Sequence, residues 1–430
     1  MVHGAPEAAL AHELAVAVDE TLVTPESRPP VPEIRRFAGY QLLTEVSLTG
    51  GIWILYLQDR GLSLGQIGLA ESVFHLAPLT LELPTGSFAD TFGRKWSLAI
   101  GSLLVAISAA MMFAAQDLWL VLPAMFLNGA SYTFRSGAQQ AFLYDSLAAG
   151  NAQDTFSRVF GRLASLSYLV IGATTWLGAA LADWSFAWPY GITIGVALGA
   201  AWLAAGLTEP ERKKSEHRGV VRNIADALRL VRSRPRLGSL LIFGSIYWTL
   251  VACLEMYAQP VLKEMGLATP VIGVVIGGSF VVVAAGAWVV HRVTVRGSFR
   301  AWTIALTIAV IAMAFGLGSD IVVLALVTFV LAEFATGIFE PVITDRVNRQ
   351  VDGAQRATVL SVEGFLFSLN MIWIFPLVGW LADWANWLVA FGSVAALVAV
   401  ALVVWLVLEQ RSDAAVGVQV SASPGAHGPG

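Results

Sequence analysis

The stretch Gly86-Ser-Phe-Ala-Asp90-Thr-Phe-Gly93-Arg94-Lys95 is a polar turn between two apolar runs, residues 66–89 and 96–115. Each run is long enough to be a membrane span, since a helix needs about 20 apolar residues to cross roughly 30 Å of hydrocarbon. The pattern does not stop there. Ten further apolar runs, at about 37–58, 118–144, 160–182, 185–207, 238–262, 270–291, 299–317, 320–344, 358–382 and 385–408, bring the number of expected spans to twelve. A water-soluble domain has no reason to repeat that length so often.

Composition agrees. The chain is 57% hydrophobic and 13% charged, with a mean hydropathy of +0.70, outside the balance of soluble domains. The net charge of -4 carries little information, because in a membrane chain the sidedness of basic residues is what counts. Arg35, Arg36, Arg94, Lys95, Arg158, Arg162, the 208–236 linker, Arg292, Arg296, Arg300, Arg346, Arg349, Arg356 and Arg411 fall on one side, and only Arg60 and Lys263 on the other. The arginine-rich face is therefore expected in the cytoplasm, with both termini there, in a multi-pass protein of the cytoplasmic membrane. The single cysteine, Cys253, excludes an intramolecular disulfide and reads as a small buried side chain.

The longest polar interruption divides the spans six and six. The expected organisation is a disordered tail over 1–34, a first six-helix bundle over 35–207, a cytoplasmic linker over 208–236, a second bundle over 237–410 and a disordered tail over 411–430. Residues 1–34 lack the basic flank, apolar core and cleavage site of a signal peptide. Val220, Val221, Ile224, Leu228 and Val231 share one face of an expected amphipathic surface helix in the linker. Two echoes favour duplication. Leu181-Ala-Asp183-Trp184 returns as Leu381-Ala-Asp383-Trp384, and Gly61-Leu-Ser-Leu-Gly-Gln-Ile67-Gly68 as Gly266-Leu-Ala-Thr-Pro-Val-Ile272-Gly273. Glycines at every fourth position, Gly191, Gly195 and Gly199 in the sixth span and Gly273 and Gly277 in the eighth, point to close helix packing in a monomer, with homodimerisation as the alternative.

On these residues the turn Gly86-x-x-x-Asp90-x-x-Gly93-Arg94-Lys95 resembles the signature loop between the second and third helices of the major facilitator superfamily. Glu82-Leu-Pro84-Thr-Gly86, Ser136-Gly137-Ala138 and Leu143-Tyr144-Asp145-Ser146 are similar to a bacterial branch that includes drug-resistance-type transporters. The resemblance implies an all-α membrane fold, two pseudo-symmetric six-helix bundles rocking about a central site, and not an enzyme. It also implies that Gly86, Asp90, Gly93 and Arg94 brace the cytoplasmic gate, Asp90 engaging the loop arginine and the start of the eleventh helix. Gly86 would let a neighbouring helix approach, and Gly93 would permit the turn. The corresponding turn of the second half has Val290 in place of the aspartate, and the fifth span, Gly172-Ala-Thr-Thr-Trp-Leu-Gly178, lacks the proline of the family's antiporter pattern, so antiport is not fixed by motif.

Charge inside the spans supplies the candidate site. A charged side chain at mid-membrane costs about 2.5 to 3.5 kcal/mol on insertion scales, so it generally faces a cavity or a partner. Glu45, Glu71, His75, Glu82, Arg135, Glu255, Glu333, Glu340 and Glu363 all fall in spans. In the family the first, fourth, seventh and tenth helices line the central cavity. By that resemblance Glu45, Arg135, Gln139, Glu255, Glu333, Glu340 and Glu363 form a proton and substrate cavity, with Trp53, Tyr56, Tyr132, Trp248 and Phe367 as its aromatic wall. Each glutamate has a bland alternative, a structural helix-to-helix hydrogen bond. Arg135 has three readings, an ion pair with Glu340, a proton role and a substrate counter-ion. An acidic, aromatic wall suits a lipophilic or cationic molecule, and desolvation disfavours a charged carboxyl, so buried glutamates can exchange protons. The expected activity is proton-coupled efflux of small lipophilic or cationic compounds. Proton-coupled uptake of a nutrient or metabolite, or lipid flipping, are the alternatives. No phosphate-binding loop, metal-ligand spacing or hydrolase motif appears, so the proton gradient is the expected energy source, without cofactor, metal or nucleic acid; membrane lipids and a small-molecule solute are the partners.

Overall fold

Helix follows helix along the chain, and among the described residues there is no strand. The computed structural model describes residues 31–210, 229, 232–294, 298–351 and 353–421. The expected surface helix at 220–231, apart from residue 229, most of the first expected tail and residues 422–430 of the second lie outside the described residues. The helices are α1 (Val31–Thr44), α2 (Trp53–Asp59), α3 (Leu64–Phe92), α4 (Arg94–Ala114), α5 (Leu118–Ala149), α6 (Phe156–Ala182), α7 (Ala187–Ala205), α8 (Pro235–Glu264), α9 (Thr269–Thr294), α10 (Phe299–Leu317), α11 (Val322–Asn348), α12 (Gly353–Trp384) and α13 (Trp387–Ser421).

Among the described residues nine helical stretches are long and apolar enough to cross a membrane: α4, α6 with the turn before it, and α7 to α13. The other three expected spans differ for physical reasons. Helices α3 and α5, of 29 and 32 residues, have the length but carry polar faces toward an internal cavity. The first expected span is not one helix. It breaks between Thr44 and Trp53, where Ser47, Thr49, Gly50 and Gly51 are poor helix formers. At the chain ends helix replaces expected tail: α1 starts at Val31, and α13 continues to Ser421 through a run rich in alanine and valine.

A break inside a membrane is tolerated only where the freed backbone groups find partners. Here neighbouring helices supply them. The Ser47 amide donates to the Thr174 hydroxyl at 2.9 Å, and the Thr175 hydroxyl donates to the Ser47 carbonyl at 3.4 Å. From the other half of the chain, the Gln259 side-chain amide donates to the Gly50 carbonyl at 3.0 Å and its oxygen accepts from the Ile54 amide at 3.4 Å.

The two halves meet along α3 against α12, α6 against α9, and α2 against α8. Small residues set these crossings. A methyl group at Gly277 would run into the Gly172 carbonyl, one at Gly68 into the backbone of Pro376, and one at Gly379 into the Leu64 carbonyl. Close packing thus holds at Gly273 and Gly277. It does not hold at Gly191, Gly195 and Gly199, where a methyl group would meet nothing within 4 Å, because that face of α7 is turned outward. Within each half the same crossing recurs: Gly129 of α5 sits under the Phe74 carbonyl of α3, and Gly337 of α11 under the Val283 carbonyl of α9.

Candidate functional site

The signature turn is built as a sharp corner. Gly93 ends α3 and starts α4 with φ at +117°, a conformation that a side chain opposes. The Glu209 carboxylate, at the end of the first half, accepts the Arg94 amide at 2.8 Å and the Lys95 amide at 3.0 Å, capping the positive end of α4. The Arg94 guanidinium pairs with Asp145 of α5 and donates to the Ala141 carbonyl. Two hundred residues later Glu409 stands in the corresponding place and pairs with Arg346 at 3.3 Å. The expected contact of Asp90 with the start of the eleventh span falls on side chains outside the described residues.

Gly86 differs from expectation. A methyl group there would meet nothing within 4 Å, because Gly86, Ser87 and Asp90 border a cavity of about 1390 Å³. That cavity runs along α3 from Glu71 to Asp90, about 28 Å at the helical rise. Its wall also includes the α1–α2 break (Glu45, Ser47, Thr49), Trp53 of α2, Ser108 of α4, Asn128, Tyr132 and Arg135 of α5, Thr193 of α7, and Phe365, Phe367 and Ser368 of α12.

At the opposite end the halves are sealed together. The Asp383 carboxylate, from the last turn of α12, accepts the Leu64 and Gly65 amides at 3.1 and 2.7 Å, so a side chain of the second half caps a helix of the first. Below it the Tyr257 hydroxyl donates to the Phe375 carbonyl at 3.0 Å, and the Ser72 hydroxyl to the Ile372 carbonyl at 2.7 Å. The cavity is closed at the end that holds Leu64 and Asp383 and extends toward the arginine-rich end that holds Asp90.

Of the residues singled out from sequence, Glu45, Arg135, Trp53, Tyr132 and Phe367 line this cavity together with Gly86 and Asp90. Glu45 accepts from Gln41 at 2.8 Å and lies within electrostatic range of Arg135. Gln139 is just behind the wall, donating to the Thr44 hydroxyl at 3.4 Å. Others are not brought there. Tyr56 is fully buried in the core, its hydroxyl donating to the Phe113 carbonyl at 2.8 Å. Trp248 packs against Tyr247 and Phe339. Glu333 is 2% exposed and has Glu255 as its electrostatic neighbour, so these two carboxyls face each other inside the second half rather than the cavity. Glu340 is exposed, and Glu363 is half-buried beside Gly244. The reason is rotational: helical spacing says which residues share a face, not which way α8 and α11 turn that face.

Sequence reading left four participants out of the site. Gln259 bridges the α1–α2 break, and Asp383 caps α3. Glu71 and His75 form a buried pair on α3, with His75 Nε2 at 3.3 Å from the Glu71 carboxylate and side chains 7% and 5% exposed for His75 and Glu71. The i,i+4 spacing of that pair was a usable signal; the partners of the other two lie far away in sequence.

The Major Facilitator Superfamily profile matches residues 42–372. Among curated relatives, an uncharacterized MFS-type transporter, YxaM of Bacillus subtilis (strain 168), is 24% identical over 230 residues, 52% of this chain and 56% of that protein. Another uncharacterized MFS-type transporter, EfpA of Mycobacterium tuberculosis, is 26% identical over 200 residues, 45% of this chain and 37% of its own length. The chain thus spans about half or less of the curated relatives it matches. Among solved structures, the nucleoside transporter NupG superposes with a TM-score of 0.70 at 14% identity, covering 87% of this chain and 97% of that one. A bacterial homolog of the human lysosomal transporter Spinster, in an inward-facing and unoccupied conformation, superposes with a TM-score of 0.65 at 16% identity, covering 88% and 95%. At these identities the likeness concerns the fold.

Proposed function

This chain belongs to the Major Facilitator Superfamily of membrane transporters, and from that premise we propose that it couples the proton gradient to export of small lipophilic or cationic organic compounds by alternating access. The arginine-rich face is the cytoplasmic one in this reading, so the cavity described above is open inward. One observation carries the proposal: a cavity of about 1390 Å³ that mixes the carboxylates of Glu45, Glu71 and Glu82 with the rings of Trp53, Tyr132 and Phe367. Aromatic faces and a nearby carboxylate attract a cation that has shed its water, and apolar walls accept its hydrocarbon.

Protons can compete with such a cation for the same carboxylates. Glu45 is the candidate shared site, because it lines the cavity at the point where the first span breaks, bonded by Gln41 and within electrostatic range of Arg135. Arg135 supports the alternative of metabolite uptake, since its guanidinium on the same wall suits a carboxylate-bearing solute. Gly86, Asp90, Gly93 and Arg94 act at the inward mouth in either case.

The test is a panel of dyes, drugs and metabolites offered to cells with and without the protein, each with and without a proton uncoupler. Uncoupler-sensitive lowering of cellular ethidium is expected. Uncoupler-sensitive enrichment of an anionic metabolite, with ethidium unmoved, would replace export by uptake.

A further inference from the structure

A carrier for coupled protons must meet one compartment and then the other as the halves rock. The cavity-lining groups nearest the closed end are therefore better placed than those near the open mouth. Glu71 and His75 lie seven and eleven residues into α3 from Leu64, about 10 and 16 Å below the sealed end at the helical rise. Both line the cavity. Both also touch the seam between the halves: His75 Nδ1 is 3.4 Å from the Ser368 hydroxyl of α12, and the next residue after Glu71, Ser72, bonds the Ile372 carbonyl.

We propose that the Glu71–His75 pair, facing Ser368 across the seam, is the protonation site that controls opening of the end sealed by Asp383. The inference rests on the proton-coupled reading above, but adds His75, Ser368 and a gating role that the reading does not contain.

The chemistry follows from the geometry. With the ring neutral, its Nε2–H donates to the Glu71 carboxylate and its Nδ1 accepts from the Ser368 hydroxyl, leaving a net charge of one negative. When one proton is taken from the cavity, the ring donates on both sides, to Glu71 and to the Ser368 oxygen, and the pair becomes neutral. An uncompensated charge closed into a dry seam costs more than a hydrogen-bonded ion pair of zero net charge. Proton binding thus favours the sealed state, and proton loss favours parting of α3 from α12.

The surroundings leave the pair in control of that charge. From α8, Cys253 and Tyr257 stand within electrostatic range of Glu71, both as neutral groups. From α12 the Phe367 ring packs on His75 at 5.4 Å, and the Phe74 ring does so from α3 itself at 5.1 Å. Across the cavity stand Asn128 and Arg135 of α5, Ser108 of α4 and Glu45 at the α1–α2 break, with Glu82 two turns further along α3. Glu363 lies on α12 more than one turn before Ser368.

The test reads the gate itself. In a Cys253→Ser background, spin labels at Ser185 and Asp320, two exposed positions in the end loops of the two halves on the sealed side, report its opening as a distance distribution between pH 5 and 9. The open population of the otherwise unaltered protein is expected to rise with pH, and His75→Gln is expected to lose that dependence. Ser368→Ala, which keeps both titratable groups, is expected to keep a pH dependence with a displaced midpoint. A pH-independent distribution in the unaltered protein, or an unchanged profile in His75→Gln and Ser368→Ala, overturns the inference. A separate arm, ethidium movement driven by an imposed pH gradient in proteoliposomes, tests the transport reading: its absence with an intact pH-dependent gate refutes proton-driven ethidium export and leaves the gate assignment standing.

Discussion

Replacing Asp383 by alanine removes a carboxylate of one half from the helix start of the other. Its two bonds, 3.1 and 2.7 Å to the amides of Leu64 and Gly65, exist only while α3 and α12 are together at that end. A helix cap lost to alanine costs about 0.5 to 2 kcal/mol, and the charge at the helix start adds about 0.3 to 1 kcal/mol. Asp383 is exposed, and water replaces part of what is lost, so about 1 kcal/mol is the appropriate figure, equivalent to about a fivefold rise in the ratio of outward-open to sealed protein. The assay is the rate at which a membrane-impermeant maleimide, added from the Asp383 side, modifies a cysteine at Thr49 on the cavity wall, in a Cys253→Ser background. The rate should rise about fivefold in Asp383→Ala. Asp183, in the matching Leu-Ala-Asp-Trp segment of the first half, is the internal control: its side chain is exposed and caps no helix among the described residues, and Asp183→Ala should leave the rate unchanged. Equal rates in the two variants, or no rise in Asp383→Ala, would refute the assignment of Asp383 as a latch.

Other expectations follow from particular contacts. Gln259→Leu strips the Gly50 carbonyl and the Ile54 amide of their partner and should lower the unfolding midpoint in detergent, consistent with about 1 to 3 kcal/mol per stranded group. Gly277→Leu forces a side chain into the Gly172 carbonyl, so the α6–α9 crossing must open; size-exclusion profiles should show broadened or lost protein, whereas Gly195→Leu, in open space, should behave as the parent. Gly93→Ala places a side chain at φ +117° and should cost about 1 to 2 kcal/mol, seen as a lowered thermal midpoint. Glu45→Gln should abolish uncoupler-sensitive ethidium export while leaving ethidium binding measurable by fluorescence; retained coupled export would remove Glu45 as a shared site.

Much of the architecture was legible in the sequence because the bilayer imposes one demand on every span, a sustained apolar length, and that demand leaves a signal each helix carries alone. The turn from Gly86 to Lys95 was equally local, and its family resemblance agrees with the profile match. The break at Glu45–Ile52 was not legible: Ser47, Thr49, Gly50 and Gly51 are poor helix formers, but glycine is common in membrane helices, and the groups that rescue the backbone, Thr174 and Gln259, come from distant helices. The site was legible mainly on the first half, with Phe367 the one second-half residue named from sequence that lines the cavity. Glu45, Tyr132 and Arg135 reach the cavity, while Glu255 and Glu333 share a helical face each but meet one another inside the second half. No periodicity reports the rotation of a helix about its own axis. The Leu-Ala-Asp-Trp echo was visible as a repeat, yet only the assembled fold shows that its second copy reaches across to α3 while its first does not.

The account depends on the sealed end parting during each cycle. A Cβ built on Gly65 lies 3.5 Å from the Trp380 Cβ across that seam, within the range of about 3.5 to 4.5 Å that a disulfide spans. The decisive measurement is therefore ethidium transport by Gly65→Cys/Trp380→Cys protein in a Cys253→Ser background, oxidised and then reduced. Loss of transport on oxidation and its return on reduction is the predicted result. Undiminished transport with the disulfide fully formed would contradict alternating access through this seam.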